Sequence, residues 1–224
     1  YEVKTFSIVD ASPLQSVNLW SDKEGIDIAN PLRMEESRLR TCLLPNLIRT
    51  KIYNMNHGIS RVKMFEIAKV YLAEEKLPQE KTCLSIMADV DFLNLKGIIE
   101  SLLFHLGINS KCEWIPLSAS VLFKADKSVK IQLGSNLLGF VGEAKELEFK
   151  TSPCMVELDM DLLVKMSDFT KKYQTPSQYP PVLRDLALVV DEKVTWASIE
   201  NCIDAANISI IKGTNFFDMY RGKQ

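Results

Sequence analysis

Two histidines, a run of alternating acids and a thin scatter of arginines are the groups in this chain that could do chemistry. His57 and His105 could each act as a general base or metal ligand, but neither has a cysteine or second histidine at ligand spacing. His57 falls in a turn beside Gly58. His105 lies between Leu102 and Leu106 on a helical pattern and reads as a partly buried packing residue. Glu157, Asp159 and Asp161 could hold a cation. Their alternation with Val156, Leu158 and Met160 puts all three on one strand face, which is the pattern of a solvated face. Gly134, Gly139 and Gly142 lie in hairpin-like sequence with no Lys-Ser or Lys-Thr after them, so they make no phosphate loop. Nothing resembles a nucleophile elbow or a Cys/His pair. The arginines are Arg33, Arg38, Arg40, Arg49 and Arg61, then none before Arg184. Nucleotide phosphates handled without a phosphate loop need planar, bidentate arginines, and the middle of the chain has none. No catalytic, cofactor-binding or metal residue is assigned on these grounds.

The elements that would position such groups are those of a soluble globular protein. The chain has 224 residues, 46% hydrophobic and 25% charged, with a net charge of −2. That charge argues against a broad basic surface for non-specific nucleic-acid binding. Cys42, Cys83, Cys112, Cys154 and Cys202 are far apart, with no C-x-x-C pair, and read as buried, reduced thiols of a cytosolic protein. No apolar run approaches the roughly 20 residues that span a membrane, and no signal peptide leads the chain.

Strands are expected at Tyr1–Val9, Val62–Tyr71, Lys81–Asp89 and Met155–Asp161, with a hairpin over Val129–Gly142 turning at Gly134-Ser135-Asn136. Pro45 suits the first turn of a helix carrying Leu44, Leu47, Ile48 and Ile52. Leu95, Ile98, Ile99, Leu102, Leu103 and Leu106 keep helical spacing, and Gly107 stands where a C-terminal cap belongs. Ser167–Pro181, rich in lysine and proline and without periodicity, reads as a linker. Beyond it, Leu186–Val190 is expected as a strand, Thr195 as the N-cap of a helix bearing Ile199, Cys202, Ile203 and Ala206, and Phe216–Gly222 as a second strand. Such a strand–helix–strand unit cannot close a core alone, so the chain is expected to stop inside a domain. The sum is α+β: an antiparallel sheet with flanking helices, then an incomplete βαβ unit.

Longer blocks carry a resemblance. Asn30-Pro31-Leu32, Glu36-Ser37, Leu39 through Leu47, Phe65 through Tyr71 and Asp91 through Glu100 resemble, in order, the signature of the bacterial phenylalanyl-tRNA synthetase β-subunit family. Tyr179–Val190 and Phe216–Gln224 resemble the first half of the ferredoxin-fold anticodon-binding domain at that subunit's C-terminus. The resemblance implies a class II synthetase-like core module over 1–172 that does no chemistry, and a linker with half an anticodon-binding domain over 173–224. It implies a cytoplasmic (αβ)₂ heterotetramer in which the α subunit, with ATP and magnesium, joins phenylalanine to tRNA. No cofactor is expected in this piece. Arg184, Lys193, Lys212 and Arg221 are the candidate tRNA contacts. Where the catalytic α subunit has an ATP-contacting arginine, the matching position here is Leu72. Met155–Val164, with neither glycine nor arginine, stands where its glycine-rich, arginine-ended motif would be. Losing such charge partners removes several kcal/mol of phosphate stabilisation. One departure is Lys124-Ala125-Asp126, where the family has a His-Pro-Gly turn. The alternative reading is a stand-alone class II-like paralogue that binds an amino acid or nucleotide.

Overall fold

The computed structural model describes residues 1–118, 120–145, 152–170, 173 and 175–220. Two compact units divide it, Tyr1–Lys172 and Tyr173–Gln224.

In the first unit the described residues form a six-stranded, wholly antiparallel sheet. After a short pair, β1 (Ile8–Val9) with β2 (Arg38–Leu39), the strands are β3 (Lys63–Leu72), β4 (Gln79–Ala88), β5 (Cys112–Pro116), β6 (Phe123–Leu133), β7 (Asn136–Ala144) and β8 (Cys154–Asp159). Their order in the sheet is β3-β4-β8-β7-β6-β5. The last strand in sequence is therefore inserted at the centre, between β4 and β7. The β6–β7 turn is tighter than expected: Leu133 already pairs with Asn136, leaving only Gly134-Ser135. Gly134 has φ 62°, as the first central position of a type II′ turn requires. Lys124-Ala125-Asp126 lies within β6, in the irregular register between Phe123 and Ser128, and makes no surface turn. The expected Tyr1–Val9 strand is broken up. Glu2 bridges β3 in parallel at Phe65, and only Ile8–Val9 pairs elsewhere.

Both faces of the sheet are covered. On one, α2 (Phe92–His105) and α3 (Met160–Met166) bury Leu95, Ile99, Leu103 and Leu163 against Leu84, Ile131, Val141, Val156 and Leu158. Each such side chain contributes about 1.5–3 kcal/mol by leaving water. Asp91 caps α2 by accepting the Asn94 N–H at 2.8 Å, and Gly107 ends it at φ 70°. Gly97 is the exception in this helix: it is exposed, and a Cβ there would meet nothing within 4 Å. Gly97→Ala is expected to raise stability by about 0.8–1 kcal/mol, read from the urea unfolding midpoint. On the other face lies α1 (Leu44–Asn56), whose Leu44, Leu47 and Ile48 pack on Met64, Met87, Met155, Phe123 and Phe140. The segment from Leu14 to Trp20 is strapped over this same face, with Leu14, Val17, Leu19 and Trp20 half-buried in the cluster.

In the second unit the described residues form one regular element, α4 (Trp196–Ala205), capped by Thr195 as expected. Trp196 packs edge-on against Phe216, ring centres 5.6 Å apart. Among the described residues the strands expected at Leu186–Val190 and Phe216–Gly222 do not form: Leu186–Val190 and Phe216–Tyr220 are largely exposed and join no sheet, while Arg221 and Gly222 lie outside the described residues. A ladder needs a neighbour. In a split βαβ unit the slot between the two parallel strands belongs to a third strand, so the two segments do not pair with each other.

Candidate functional site

The centre of the α1-side face is polar. In register across the sheet stand Glu66 on β3, Ser85 on β4, Glu157 on β8 and Phe140 on β7. Beside them runs an apolar row, Met64, Met87 and Met155. Alternation along β8 sends Val156 and Leu158 to the α2 side and Glu157 toward α1.

Glu157 overturns the solvated-face expectation: its exposure is 0%. Alternation holds along β8 as far as Asp159, but with helices on both faces a strand has no solvent side. The carboxylate is fully used. Oε1 accepts the Trp20 indole N–H at 2.7 Å. Oε2 accepts the backbone N–H groups of Leu43 (2.7 Å) and Leu44 (3.2 Å) and the Ser85 hydroxyl at 2.7 Å. Leu43, at the N-cap position of α1, has no capping side chain of its own. Glu157 supplies that cap, satisfying donors the first turn would otherwise orphan and placing negative charge at the positive end of the helix. Asp159, opposite Cys83 at the end of the strand, keeps to the same face, whereas Asp161 lies beyond β8. Asp159 ends β8, caps α3 through the Leu162 N–H at 2.8 Å and pairs with Lys81. Asp161 is already in α3 and accepts the Thr82 N–H at 2.9 Å.

Burial pushes the Glu157 carboxyl above its ordinary value, against the lowering pull of its hydrogen bonds from Trp20, Ser85, Leu43 and Leu44. The nearby Cys42 and Cys83 thiols are pushed up too, first by burial and then by the Glu157 charge; Lys81 and Asp159 are the other charges at Cys83. The folded state thus holds the Glu157 proton more tightly than the unfolded chain. Its contribution to stability is fully present below the ordinary glutamate value of about 4.5 and is lost as pH rises through the higher folded value. Glutamine does not titrate there. The stability of the parent minus that of Glu157→Gln is therefore expected to fall from acid toward neutral pH, measured from urea midpoints at a series of pH values. A difference that stays flat or grows with pH would contradict the assignment.

Two further buried ion pairs brace the face. Arg40, 3% exposed, donates to Glu66, 1% exposed, at 3.0 Å, and also to the carbonyls of Lys69 and Thr5 and the Thr5 hydroxyl. Lys51 on α1 reaches Asp89 at 2.6 and 2.8 Å, and Asp89 also accepts the Val62 N–H. At the edge of β4 and β8, Lys81 sits 4.4 Å over the Trp20 ring. Beyond it is an open cleft of about 250 Å³ lined by Gln79, Glu80, Lys81, Asp159, Asp161, Leu162 and Lys165, where acids and lysines offset one another.

The remaining sequence candidates fall elsewhere. His57 follows α1, its ring stacked on Tyr53 at 4.1 Å and its Nδ1 on the Tyr53 carbonyl. His105 is exposed at the end of α2, contrary to its reading as a packing residue, because it lies on the helix flank away from Leu95, Ile99 and Leu103. Among the described residues no cluster of three His, Cys, Asp or Glu side chains could hold a metal. Cys42, Cys83 and Cys154 are buried and Cys112 half-buried, but Cys202 on α4 is exposed. Arg184, Lys193 and Lys212 are exposed on the second unit. Arg184 donates to the Leu183 carbonyl and Lys212 to that of Ser209, and none of the three bonds to another. Arg221 lies outside the described residues. Sequence reasoning passed over Trp20 and Ser85; the signal for Ser85 was a lone hydroxyl between Leu84 and Ile86 in an apolar strand.

An antiparallel six-stranded sheet carrying helices on both faces, with the last strand inserted centrally, is a class II aminoacyl-tRNA synthetase-like fold. A pyrrolysyl-tRNA synthetase of Desulfitobacterium hafniense superposes with TM-score 0.50 at 18% identity, covering 75% of this chain and 66% of that one. A second structure of the enzyme from the same organism gives 0.51 at 18% identity over 73% and 61%. The family described as phenylalanyl tRNA synthetase beta chain CLM domain matches residues 1–160, and the ferredoxin-fold anticodon binding domain matches 177–224. The chain belongs to the phenylalanyl-tRNA synthetase β-chain family. The phenylalanine–tRNA ligase β subunit of Clostridium acetobutylicum is 32% identical over 209 residues, 89% of this chain and 26% of its own length. That of Carboxydothermus hydrogenoformans is 30% identical over 249 residues, 100% of this chain and 31% of its own. The chain thus spans about a quarter to a third of the length of these curated relatives. Among the described residues no helix is long and apolar enough to cross a membrane.

Proposed function

We propose that this chain is the non-catalytic core module of a phenylalanine–tRNA ligase β subunit over 1–172, followed over 173–224 by a linker and the first half of its anticodon-binding domain. Its task is assembly with the catalytic α subunit in a cytoplasmic (αβ)₂ heterotetramer and support of tRNA binding, while ATP, magnesium and phenylalanine act on the α subunit. Arg184, Lys193, Lys212 and Arg221 are the proposed tRNA contacts.

One observation carries this reading: among the described residues, the charged groups buried on the α1-side sheet face are already spent on the fold. Glu157 caps α1, and Arg40 is tied to Glu66. Leu72, at the position matched to an ATP-contacting arginine, is a buried apolar residue. These residues do not fit ATP, because among the described residues the one buried guanidinium on this face, that of Arg40, is already tied to Glu66 and cannot meet a phosphate.

Pyrophosphate exchange with phenylalanine and ATP tests it. The chain alone is expected to give no turnover above a blank, and clear exchange would overturn the inactive-module reading. Calorimetric titration of the chain with phenylalanine and with ATP separates the paralogue: tight binding of either favours it, and flat thermograms favour the module.

A further inference from the structure

We propose that Glu157 is a built-in ligand: its carboxylate fills a preformed four-donor cradle for a carboxylate, and so shuts this face of the sheet against a free acid. The cradle is assembled from three parts of the chain. The Trp20 indole N–H comes from the strap, the Leu43 and Leu44 N–H groups from the start of α1, and the hydroxyl of Ser85 from β4. The indole and both amides can only donate, and the hydroxyl donates here. All four therefore select an acceptor with several lone pairs and a negative charge.

Each wall of the cradle is fixed by contacts that do not involve Glu157. Thr41 donates to the Val17 carbonyl at 2.6 Å and Cys42 contacts the same oxygen at 3.2 Å, which pins the strap beside α1. Trp20 is held edge-on against Phe140, ring centres 5.4 Å apart, with Lys81 over its face. Ser85 is fixed by the β4 ladder to β3 and β8. Removing the Glu157 side chain would thus leave the donors in place around an empty space. That the excluded acid includes an amino-acid substrate rests on the non-catalytic reading above; the cradle itself does not.

The atoms lost in Glu157→Ala are one methylene and a carboxylate, which acetate reproduces. The test is thermal unfolding of the whole chain and of Glu157→Ala, with sodium acetate titrated against sodium chloride at equal ionic strength. Glu157→Ala is expected to unfold several degrees lower than the parent and to recover with a saturable dependence on acetate. Chloride and acetamide should not restore it, and the parent should show no acetate-specific shift. Adding Trp20→Phe, which removes one donor and keeps the ring packing, should raise the half-saturating acetate about tenfold. If Glu157→Ala shows no cooperative transition, its return on adding acetate is the expected result, and failure to return overturns the proposal. Equal acetate shifts in parent and variant, or acetamide acting as well as acetate, also overturn it. None of these readouts depends on ligase activity.

Discussion

Glu66→Ala is expected to destabilise the first unit by about 3–5 kcal/mol, the usual cost of orphaning one member of a buried ion pair. The guanidinium of Arg40 would remain beneath the surface with its carboxylate gone, and the Thr5 N–H and hydroxyl would lose their acceptor in the same stroke. The double change Arg40→Met with Glu66→Leu should recover part of the loss, because no charge is then stranded. It should not recover all, since the carbonyls of Lys69 and Thr5 would keep no guanidinium donor. Glu74→Ala makes a useful contrast: it breaks a pair with Lys23 whose members are about half exposed, 49% and 51%, where the expected effect is under about 1 kcal/mol. Urea unfolding of the four chains measures all of this. A cost for Glu66→Ala no larger than that for Glu74→Ala would remove the Arg40–Glu66 pair from any account of how the sheet face is held.

Gly139→Ala should be as damaging for a steric reason. Gly139 on β7 faces Leu158 on β8, and a Cβ there would stand 2.1 Å from the Glu157 carbonyl oxygen and 2.9 Å from a Leu158 methyl. The methyl can turn aside, but the oxygen belongs to the central strand. The β7–β8 ladder would have to part, with an expected cost of about 3 kcal/mol or more, at the upper end of overpacking penalties. Displacing that strand would also drag Glu157 away from the first turn of α1. Near-ultraviolet circular dichroism should therefore report a changed Trp20 environment along with the lower urea midpoint. Gly97→Ala, a chemically identical change in open space, is the control with the opposite expected sign.

Local signals made part of this fold legible from sequence. The helix at Phe92–His105 announces itself by period, cap and terminal glycine, and the β6–β7 hairpin by its Gly134-Ser135 turn. Both depend on neighbours in sequence. Elements whose identity depends on distant partners were harder to see. Cys112–Pro116 is a short edge strand with a proline at its end and weak alternation. Met160–Met166 is a short helix that follows β8 with no intervening loop, so the strand-like alternation in the sequence runs on into Asp161. Glu157 shows the same limit at the site. Its alternation in β8 was plain, but whether that face met water or a helix depended on α1, more than a hundred positions earlier in the chain. The resemblance to a synthetase β chain identified an arginine-poor core, yet only the three-dimensional arrangement shows how the remaining polar residues are occupied.

The capping of α1 by Glu157 also bears on how the module comes into being on the ribosome. The start of α1 is synthesised 114 positions before the carboxylate that completes it, and Ser85 on β4 waits 72 positions for Glu157 on β8 to fill the place beside it. A growing chain that has exposed β3, β4, β6 and β7 still holds two sheet fragments with a vacant central lane and a helix whose first amides are unmet. Contacts this remote in sequence are closed late and slowly, and unpaired strand edges of this kind are sticky while they last. Chains terminated and released within 145–153 should therefore aggregate, whereas chains released beyond Met166 should fold to the core.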